Sequence, residues 1–295
     1  MDFMLLAELA INGGLTGLMY SLVAMGIVLI YKSSSVPNLA QGAMTMLGAY
    51  IVLAISTRFN VPMWAAIPLA MVAMFMVGVG IERVALRRLA GRPIIMILMM
   101  TLGLDIFLRG GAMTLWGGSS RPMQLGISDE PFFIGPILVN RAYIVGAAIA
   151  LLLLGIFVVF FRTRMGIVLR AISDDYTASW SVGISVERGV ALSWALSSLV
   201  ATTAGVLWGS IQGVDQSLAL LLLKGVVVAV LGGMDSIGGA VLAGLLLGIF
   251  EGLASGWIDP LVGGGSRDLV IAATLILTIL IRPHGLFGRH DIERI

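Results

Sequence analysis

The stretch that decides the fold is residues 142–161, AYIVGAAIALLLLGIFVVFF, which runs for 20 residues without a charged side chain. A helix needs about 20 apolar residues to cross roughly 30 Å of hydrocarbon, and this stretch meets that length. Other uncharged stretches lie at 33–57, 59–81, 189–214 and 269–281. Backbone amides in lipid must bond within their own segment, and continuous apolar runs without alternation favour helices over a barrel.

The composition of the whole chain agrees with a lipid environment. Apolar residues make up 59% of the 295 residues and charged residues 12%, and the mean hydropathy is +1.04. A water-soluble domain of this size does not carry such a composition on its surface. The aromatic residues lie in apolar segments and not among the arginines, so no nucleic-acid-binding surface is indicated. The sequence contains no cysteine, which excludes disulfides, thiolate metal sites and a thiol nucleophile.

We predict one all-α domain over residues 1–295, a polytopic membrane bundle of eight to ten spans with broken helices near the midplane. The start of the chain has Asp2 and no basic residue, unlike a cleavable signal peptide. Residues 1–12 are expected to form an interfacial helix or part of another crossing. The predicted spans are 14–31, 38–56, 61–81, 93–116, 142–161, 189–212, 217–231, 237–256 and 269–281.

The arginines indicate the orientation of these spans. One set of loops is rich in arginine, and the opposite set holds only Arg58, Arg121, Arg141 and Arg267. By the positive-inside rule the rich set is cytoplasmic, which places the C-terminus inside and the loop at 117–141 outside. The arginines of the rich set are Arg83, Arg87, Arg88, Arg92, Arg162, Arg164, Arg170, Arg188, Arg282, Arg289 and Arg294.

Two predicted spans carry a small residue at every fourth position, which lets helix backbones approach closely in lipid. We interpret these stripes as close-packing seams, with a sliding or rocking seam as the functional alternative. The first stripe is Ser197, Ala201, Gly205, Gly209 and Gly213, and the second is Ala240, Gly244, Gly248, Gly252 and Gly256.

Two regions combine helix-weakening residues with apolar sequence, a pattern typical of broken helices that line a solute site in transporters. The weakening residues are Pro37, Gly42, Gly48, Gly225, Gly232 and Gly233. Asn38 and Gln41 follow Pro37 and suit a zwitterionic or amide solute, because neutral amides orient hydrogen bonds without a fixed opposing charge. They equally suit a helix start, with Asn38 as a cap.

Charged residues inside the predicted spans are the other candidates for function. Asp105 and Arg109 are one helical turn apart and are expected to form a structural ion pair, with a solute or proton site as the alternative. Lys224 is a functional candidate, although it could also extend to an interface or meet Glu251 or Asp235.

The longest predicted cytoplasmic connector, 164–182, is amphipathic. Met165, Leu169, Ile172 and Tyr176 fall on one face at helical spacing. A short helix at the membrane surface is expected. It either docks in a groove of a cytoplasmic partner and transmits motion, or packs only on its own bundle.

Four ordered segments resemble one family, the LivH-type permease subunits of high-affinity branched-chain amino acid ABC transporters. PNLAQGAMTMLGAY (37–50) resembles the N-terminal signature of the family, and RTRMGIVLRAISDDYTASWSVGIS (162–185) resembles its ATPase-contacting cytoplasmic loop. LLKGVVVAVLGGMDSIGGAVLAGLLLGIFEGL (222–253) resembles the glycine-rich C-terminal region, and RPHGLFG (282–288) the closing tail.

The resemblance implies a multi-pass protein of the bacterial inner membrane in a heteromeric complex. Its partners would be a paralogous LivM-type permease subunit, two cytoplasmic ABC ATPase subunits that bind ATP and Mg, and a periplasmic solute-binding protein. Residues matching the two membrane signatures are Asn38, Gly42, Gly48, Lys224, Gly232, Gly233 and Gly238. The residues assigned to the translocation pathway are Asn38, Gln41, Gly42, Gly48, Lys224, Gly232 and Gly233. Residues assigned to ATPase coupling are Arg164, Gly166, Arg170, Ala171, Asp174 and Gly183.

One departure from the family concerns the solute. Family members commonly carry an aromatic residue, a histidine and an acidic residue where this chain has Leu39, Gln41 and Ala43. The resemblance implies a branched-chain amino acid or a related amide or carboxylate as the solute, and the change to Gln41 does not select among them.

Two other classes of protein compete with this interpretation. An intramembrane enzyme is disfavoured because the sequence lacks HExxH, GxSxG and a pair of membrane carboxylates. An ion-coupled secondary transporter remains the alternative, since broken helices and Lys224 fit one. No GxxxxGK[ST] motif occurs, so this chain is not expected to hydrolyse ATP.

Overall fold

The computed structural model describes residues 3–89, 91–126, 132–135 and 137–288, and these are predominantly helical. Their α-helices are α1 (Phe3–Ser34), α2 (Gln41–Phe59), α3 (Met63–Ile81), α4 (Ile94–Trp116), α5 (Arg141–Phe160), α6 (Arg164–Asp174), α7 (Tyr176–Ser181), α8 (Val186–Gln212), α9 (Leu221–Gly232), α10 (Ile237–Trp257), α11 (Asp259–Val262) and α12 (Ser266–Ile281). A π-helical turn at Glu82–Leu86 and a 3₁₀ turn at Arg87–Leu89 extend α3, and a 3₁₀ turn at Gln216–Leu220 precedes α9.

Each predicted span corresponds to a helix. Within the described ranges, seven helices are long and apolar enough to cross a membrane. The spans predicted at 217–231 and 269–281 correspond to shorter helices, the apolar Gln216–Gly232 and the 16-residue α12. The prediction of a polytopic all-α membrane bundle is therefore confirmed.

The N-terminal segment is part of the first span and not a separate element. Helix α1 runs without interruption for 32 residues, about 48 Å at 1.5 Å per residue. Both expectations for residues 1–12 are therefore wrong from Phe3 onward. Asn12 supports the continuous helix because its side chain donates to the Glu8 carbonyl one turn earlier, at 3.1 Å.

The loop at 117–141 contains a short antiparallel hairpin that the sequence did not predict. Strands β1 (Phe132–Ile134) and β2 (Ile137–Val139) pair with Phe132 opposite Val139 and Phe133 opposite Leu138. Runs of three apolar residues on each side of a glycine are too short to give a clear strand pattern.

The chain divides into two compact units. Unit 1 comprises Met1–Ala24, Gly126–Val158 and Leu223–Ile295, and unit 2 comprises Met25–Leu125 and Val159–Leu222. Each unit has its own buried residues and its own candidate site.

In unit 2, the core forms where α8 crosses α2 and α3 at short range. A methyl group added at Gly205 would lie 2.1 Å from the carbonyl oxygen of Thr45, and one added at Gly48 would lie 2.7 Å from the Cα of Thr202. These backbones therefore touch without intervening side chains, as the small-residue stripe of α8 predicted.

In unit 1, the second stripe likewise lets the backbones of α1 and α10 approach closely. A methyl group at Gly248 would lie 2.1 Å from the Gly13 carbonyl oxygen, and one at Gly17 would lie 2.0 Å from that of Gly244. The prediction of close packing is confirmed for both stripes.

The helical path is interrupted at 35–40, between α1 and α2, and at 233–236, between α9 and α10. Gly42, Gly48 and Gly225 lie inside continuous helices. The expectation that they weaken helix continuity was therefore wrong. Glycine occurs at these positions because each faces a neighbouring segment so closely that a side chain would not fit. Gly233 does mark a break, since its φ of 98° favours glycine.

Candidate functional site

The predicted translocation residues of unit 2 form a buried amide network. Asn38 and Gln41 have no solvent exposure. Asn38 Nδ2 donates to Gln41 Oε1 at 3.1 Å, and Gln41 Nε2 donates to the Ser197 carbonyl oxygen at 3.3 Å. Ser197 Oγ lies 2.8 Å from Gln41 Oε1 and 2.9 Å from the Gly26 carbonyl oxygen. The network therefore ties α1, α2 and α8 together within unit 2.

Asn38 also supports the turn before α2. Its Oδ1 accepts a hydrogen bond from the amide of Ala40 at 2.9 Å. This is a local turn bond and not a helix cap, because the N-cap residue of α2 is Ala40 and it has no side-chain cap. The alternative that Asn38 caps the helix is therefore wrong. Gly42 permits the 3₁₀ turn before α9 to approach α2 closely, because a methyl group at Gly42 would lie 2.1 Å from the Ala219 carbonyl oxygen.

The predicted residue Lys224 of unit 1 belongs to a charged cluster of three side chains. Its Nζ lies 2.9 Å from Glu251 Oε1 and 2.7 Å from the Tyr20 hydroxyl, and 4.5 Å from the centre of the Tyr20 ring. The Glu251 residue is 4% exposed. The sequence offered Glu251 and Asp235 as partners, and the cluster contains Glu251.

Tyr20 was missed by the sequence-based prediction. It lies on α1, 204 positions before Lys224, and no local spacing connects the two residues. Its hydroxyl is also 3.3 Å from Glu251 Oε1. The second carboxylate oxygen, Oε2, is buried and has no hydrogen-bond partner among the described residues. The contacts of the Glu251 carboxylate with Lys224 and Tyr20 are therefore concentrated on Oε1.

The tail of the chain closes the turn that contains Gly232 and Gly233. The Leu286 amide donates to the Leu231 carbonyl at 2.8 Å, and the Phe287 amide donates to that of Gly232 at 3.2 Å. A methyl group at Gly233 would lie 2.5 Å from the Gly288 amide nitrogen. The tail thus satisfies carbonyl groups at the end of α9 that the helix leaves open.

Asp105 and Arg109 form the expected ion pair one turn apart on α4. The Asp105 residue is 5% exposed, while the arginine side chain is 31% exposed. Pairing offsets part of the cost of burying the carboxylate, which fits the structural role predicted for the pair.

Asp215 begins the 3₁₀ turn that precedes the helix of Lys224. Its Oδ1 accepts from the Ser217 amide at 2.8 Å. Burial would raise the pKa of the Asp215 carboxyl, but hydrogen bonds from Ser217 and Ser120 hold that pKa below its usual range. Asp215 therefore remains ionised as a cap at neutral pH.

The amphipathic connector is helical, as predicted, but its buried face differs from the one expected. In α6 the buried residues are Gly166, Leu169 and Ile172, while Met165 is 46% exposed. The expected face was therefore wrong at Met165. Gly166 occupies the inner position because a methyl group there would lie 2.3 Å from the Cα of Phe161.

The other predicted coupling residues divide into exposed and inward positions. Arg164, Asp174 and Gly183 are exposed, and Gly183 has a φ of 85°. Ala171 and Arg170 are partly buried, and the Arg170 guanidinium donates to the Phe161 carbonyl. Arg170 therefore fixes α6 to the turn that follows α5, a contact that the sequence did not predict.

The family model described as branched-chain amino acid transport system / permease component matches residues 9–280. The chain belongs to this permease family.

Curated relatives of the permease match it along nearly its whole length. It is 30% identical to the high-affinity branched-chain amino acid transport system permease protein BraD of Pseudomonas aeruginosa, covering 97% of this chain and 96% of the relative. It is 29% identical to the permease protein LivH of Escherichia coli K12, covering 100% and 99%. It is also 29% identical to a probable LivH of Methanocaldococcus jannaschii, covering 90% and 88%.

Membership of the permease family agrees with the helices. The chain is a permease component of an ABC transport system and a multi-pass inner-membrane protein. It is therefore a transport component. The family match covers both the amide network of unit 2 and the charged cluster of unit 1.

Proposed function

We propose that this permease passes a branched-chain amino acid, or a related small amide or carboxylate, from a periplasmic binding protein to the cytoplasm. The observation that carries the proposal is the similarity to BraD and LivH over almost the entire chain. Asn38 and Gln41 bond to each other and to Ser197, and these uncharged side chains suit a solute that carries no net charge.

ATP hydrolysis belongs to partner subunits in this proposal. The sequence has no GxxxxGK[ST] motif, whose glycine-rich loop and lysine hold phosphates in P-loop ATPases. Two cytoplasmic ABC ATPases would bind ATP and Mg, and a paralogous LivM-type permease would complete the membrane part. The arginine-rich loops and the C-terminus face the cytoplasm in this arrangement.

The translocation pathway is proposed to involve Lys224 and the turn at Gly232 and Gly233 in unit 1, and the segment from Asn38 to Gly48 in unit 2. Lys224 supports this assignment because its side chain keeps 24% exposure despite its buried carboxylate partner. Intramembrane charges of this kind mark solute or ion pathways in many transporters.

Coupling to the ATPases is proposed to use the exposed side of the connector at 164–182. Trp180 is 72% exposed and Val182 is 75% exposed, and Ile167 adds 55% on α6. Exposed apolar side chains on a surface helix fit the helix-in-groove mode of recognition. The inner side of α6 packs against the start of α8, where Leu169 and Ile172 form a buried cluster with Val186.

The first experiment tests the energy source. The purified chain is placed in proteoliposomes alone, and separately with its ATPase, partner permease and binding protein, and uptake of radiolabelled leucine is followed. We expect accumulation in the complete system with internal ATP and none in the chain alone. Accumulation by the chain alone under a sodium or proton gradient would support the ion-coupled alternative.

The second experiment tests the coupling surface. The double variant W180A/V182A should lower leucine-stimulated ATPase activity of the complete complex at least tenfold while gel filtration shows an intact chain. The matched control is W64A, because Trp64 is an equally exposed tryptophan, 78% exposed, at the start of α3. Equal activity in wild type, control and double variant would exclude this surface.

A further inference from the structure

A cavity of about 160 Å³ lies in unit 2, among the ends of α1, α3, α4 and α8. None of the residues assigned above to translocation or coupling lines it. Its apolar wall includes Ile30, Leu86, Val190 and Trp194. A hydrophobic cavity of about 150 Å³ holds a benzene-sized molecule, so this one has room for an apolar body of about six carbons.

Among the residues that the structure describes, two carboxylates and one guanidinium line the charged part of the wall. The Glu82 side chain is 3% exposed, and its Oε2 is 3.3 Å from Arg87 Nη2. Arg87 is closer to the second carboxylate, because its Nη1 is 2.9 Å from Glu187 Oε2. One arginine is shared between two acids, so the formal charges of these three side chains sum to −1.

The hydroxyl groups of the wall add hydrogen-bond acceptors. Ser33 and Ser34 each donate to the Ile30 carbonyl at 2.9 Å, and Thr101 donates to the Leu98 carbonyl at 2.9 Å. A hydroxyl has one proton and two lone pairs, so these side chains can still accept a hydrogen bond from a ligand. A ligand that donates several hydrogen bonds therefore fits this wall.

The backbone beside the cavity is unusual. Glu82 begins the π-helical turn Glu82–Leu86, where α3 departs from regular α-helix geometry. Such turns are rare in proteins and occur frequently at functional sites. Here the turn supplies two wall residues, Glu82 and Leu86, and leads directly to Arg87.

We propose that this cavity binds a small aliphatic ammonium compound. The apolar wall takes the carbon chain, and the ammonium group donates to Glu82 and to the hydroxyl oxygens while neutralising the net negative charge. Alkylamines and branched-chain amino acids share this chemistry, and in an amino acid the additional carboxylate would meet Arg87. The binding site is distinct from the pathway residues, so it does not depend on the proposed transport function.

The test uses the full chain in lipid nanodiscs and isothermal titration with isopentylamine, L-leucine and isovalerate, with empty nanodiscs subtracted. We expect one saturable site for isopentylamine or L-leucine and none for isovalerate, which lacks the ammonium group. Binding of the amine without leucine identifies the ligand as a simple cation, and binding of both identifies the shared ammonium chemistry. No saturable binding by either, or equal binding of isovalerate, overturns the proposal.

Two variants locate the site. E82Q removes the buried charge and should weaken binding at least tenfold, with E8Q as an acidic control outside the cavity. V190F fills the cavity without changing charge and should abolish binding, with L152F as the control on an exposed position of α5. If E82Q does not fold, V190F decides alone. Wild-type binding of both ligands in a folded V190F overturns the assignment.

Discussion

Single residues show how a membrane protein tolerates charge. Glu251 is accommodated at 4% exposure because Lys224 and Tyr20 both approach the same carboxylate oxygen. Removing one partner of a buried ion pair is costly because the other charge is left without compensation. We therefore expect the cluster to be sensitive to single substitutions and to tolerate paired ones.

Replacement of Lys224 tests this coupling. K224M should lower the free energy of unfolding by about 3–5 kcal/mol, since the Glu251 carboxylate stays buried. K224M/E251Q should recover most of that loss, because both charges are gone. Thermal unfolding in detergent measures stability, and uptake by the stable double variant measures transport. Equal stability of K224M and wild type would contradict the buried pair. Full uptake by the double variant would show that translocation does not require Lys224.

Gln41 allows a comparable test in unit 2. Q41L removes the amide that contacts Asn38 and Ser197, and leaving buried polar groups unsatisfied should cost about 1–3 kcal/mol of stability. The control is Q212L, at the exposed end of α8, which should stay within about 0.5 kcal/mol of wild type. A shift in KM for leucine beyond the stability effect would add a pathway role, whereas unchanged stability would contradict the network.

At this scale the sequence predicted which residues matter better than what they contact. Asn38, Gln41 and Lys224 stand out as polar groups in apolar segments. Ser197 and Tyr20 do not, because a serine in a small-residue stripe and a tyrosine in an apolar helix are ordinary. Their roles depend on contacts 156 and 204 positions away, which no local pattern records.

Among the elements, the glycine seams are the clearest case of sequence determining packing. The period of four in α8 and α10 places glycines and other small residues on one side of each helix, and that side is where another backbone passes. The pattern cannot name the partner helix, since any helix with an equally flat surface would fit.

Two glycines of α10 give a matched pair for testing the seam. G248A should destabilise unit 1 by about 1–3 kcal/mol, because the new methyl group would overlap the Gly13 carbonyl. G238A, on the same helix with nothing within 4 Å, should be neutral or stabilising by up to about 1 kcal/mol. Thermal unfolding of the two variants side by side measures the difference, and equal melting temperatures would contradict the close approach.

The connector shows the limit of periodicity for short elements. Helical spacing predicted its helix, and Leu169 and Ile172 are buried as expected. Met165 and Gly166 are adjacent, and hydrophobicity alone favours Met165 for the inner position. Close approach of the Phe161 backbone requires a residue without a side chain there, so glycine takes the buried position.

For the whole molecule, hydropathy was sufficient to locate the spans but not to assemble them. Apolar length identifies a crossing wherever it occurs along the chain. The two units, in contrast, depend on pairings between distant segments, such as α1 with α10 in unit 1. Charge asymmetry of the loops predicts their sides of the membrane, and single-cysteine labelling tests this orientation.

The lack of cysteine makes that measurement direct, because an introduced cysteine is labelled without background. S119C and S185C both replace exposed serines, in the loop after α4 and in the loop before α8. A membrane-impermeant maleimide added to spheroplasts should label S119C at once and S185C only after permeabilisation. The reverse pattern would invert the proposed orientation and place the connector outside the cytoplasm.

Unit 1 is built from separate segments of the chain, and this has a consequence for biogenesis. Its first segment, Met1–Ala24, is synthesised long before Leu223–Ile295, with all of unit 2 in between. During translation, the glycine surface of α1 and the Tyr20 hydroxyl are therefore in the bilayer before α10 and Lys224 have been synthesised. The tail residues that close the end of α9 arrive later still. Unit 2 can therefore mature while the ribosome is still attached, whereas unit 1 can close only near the end of synthesis.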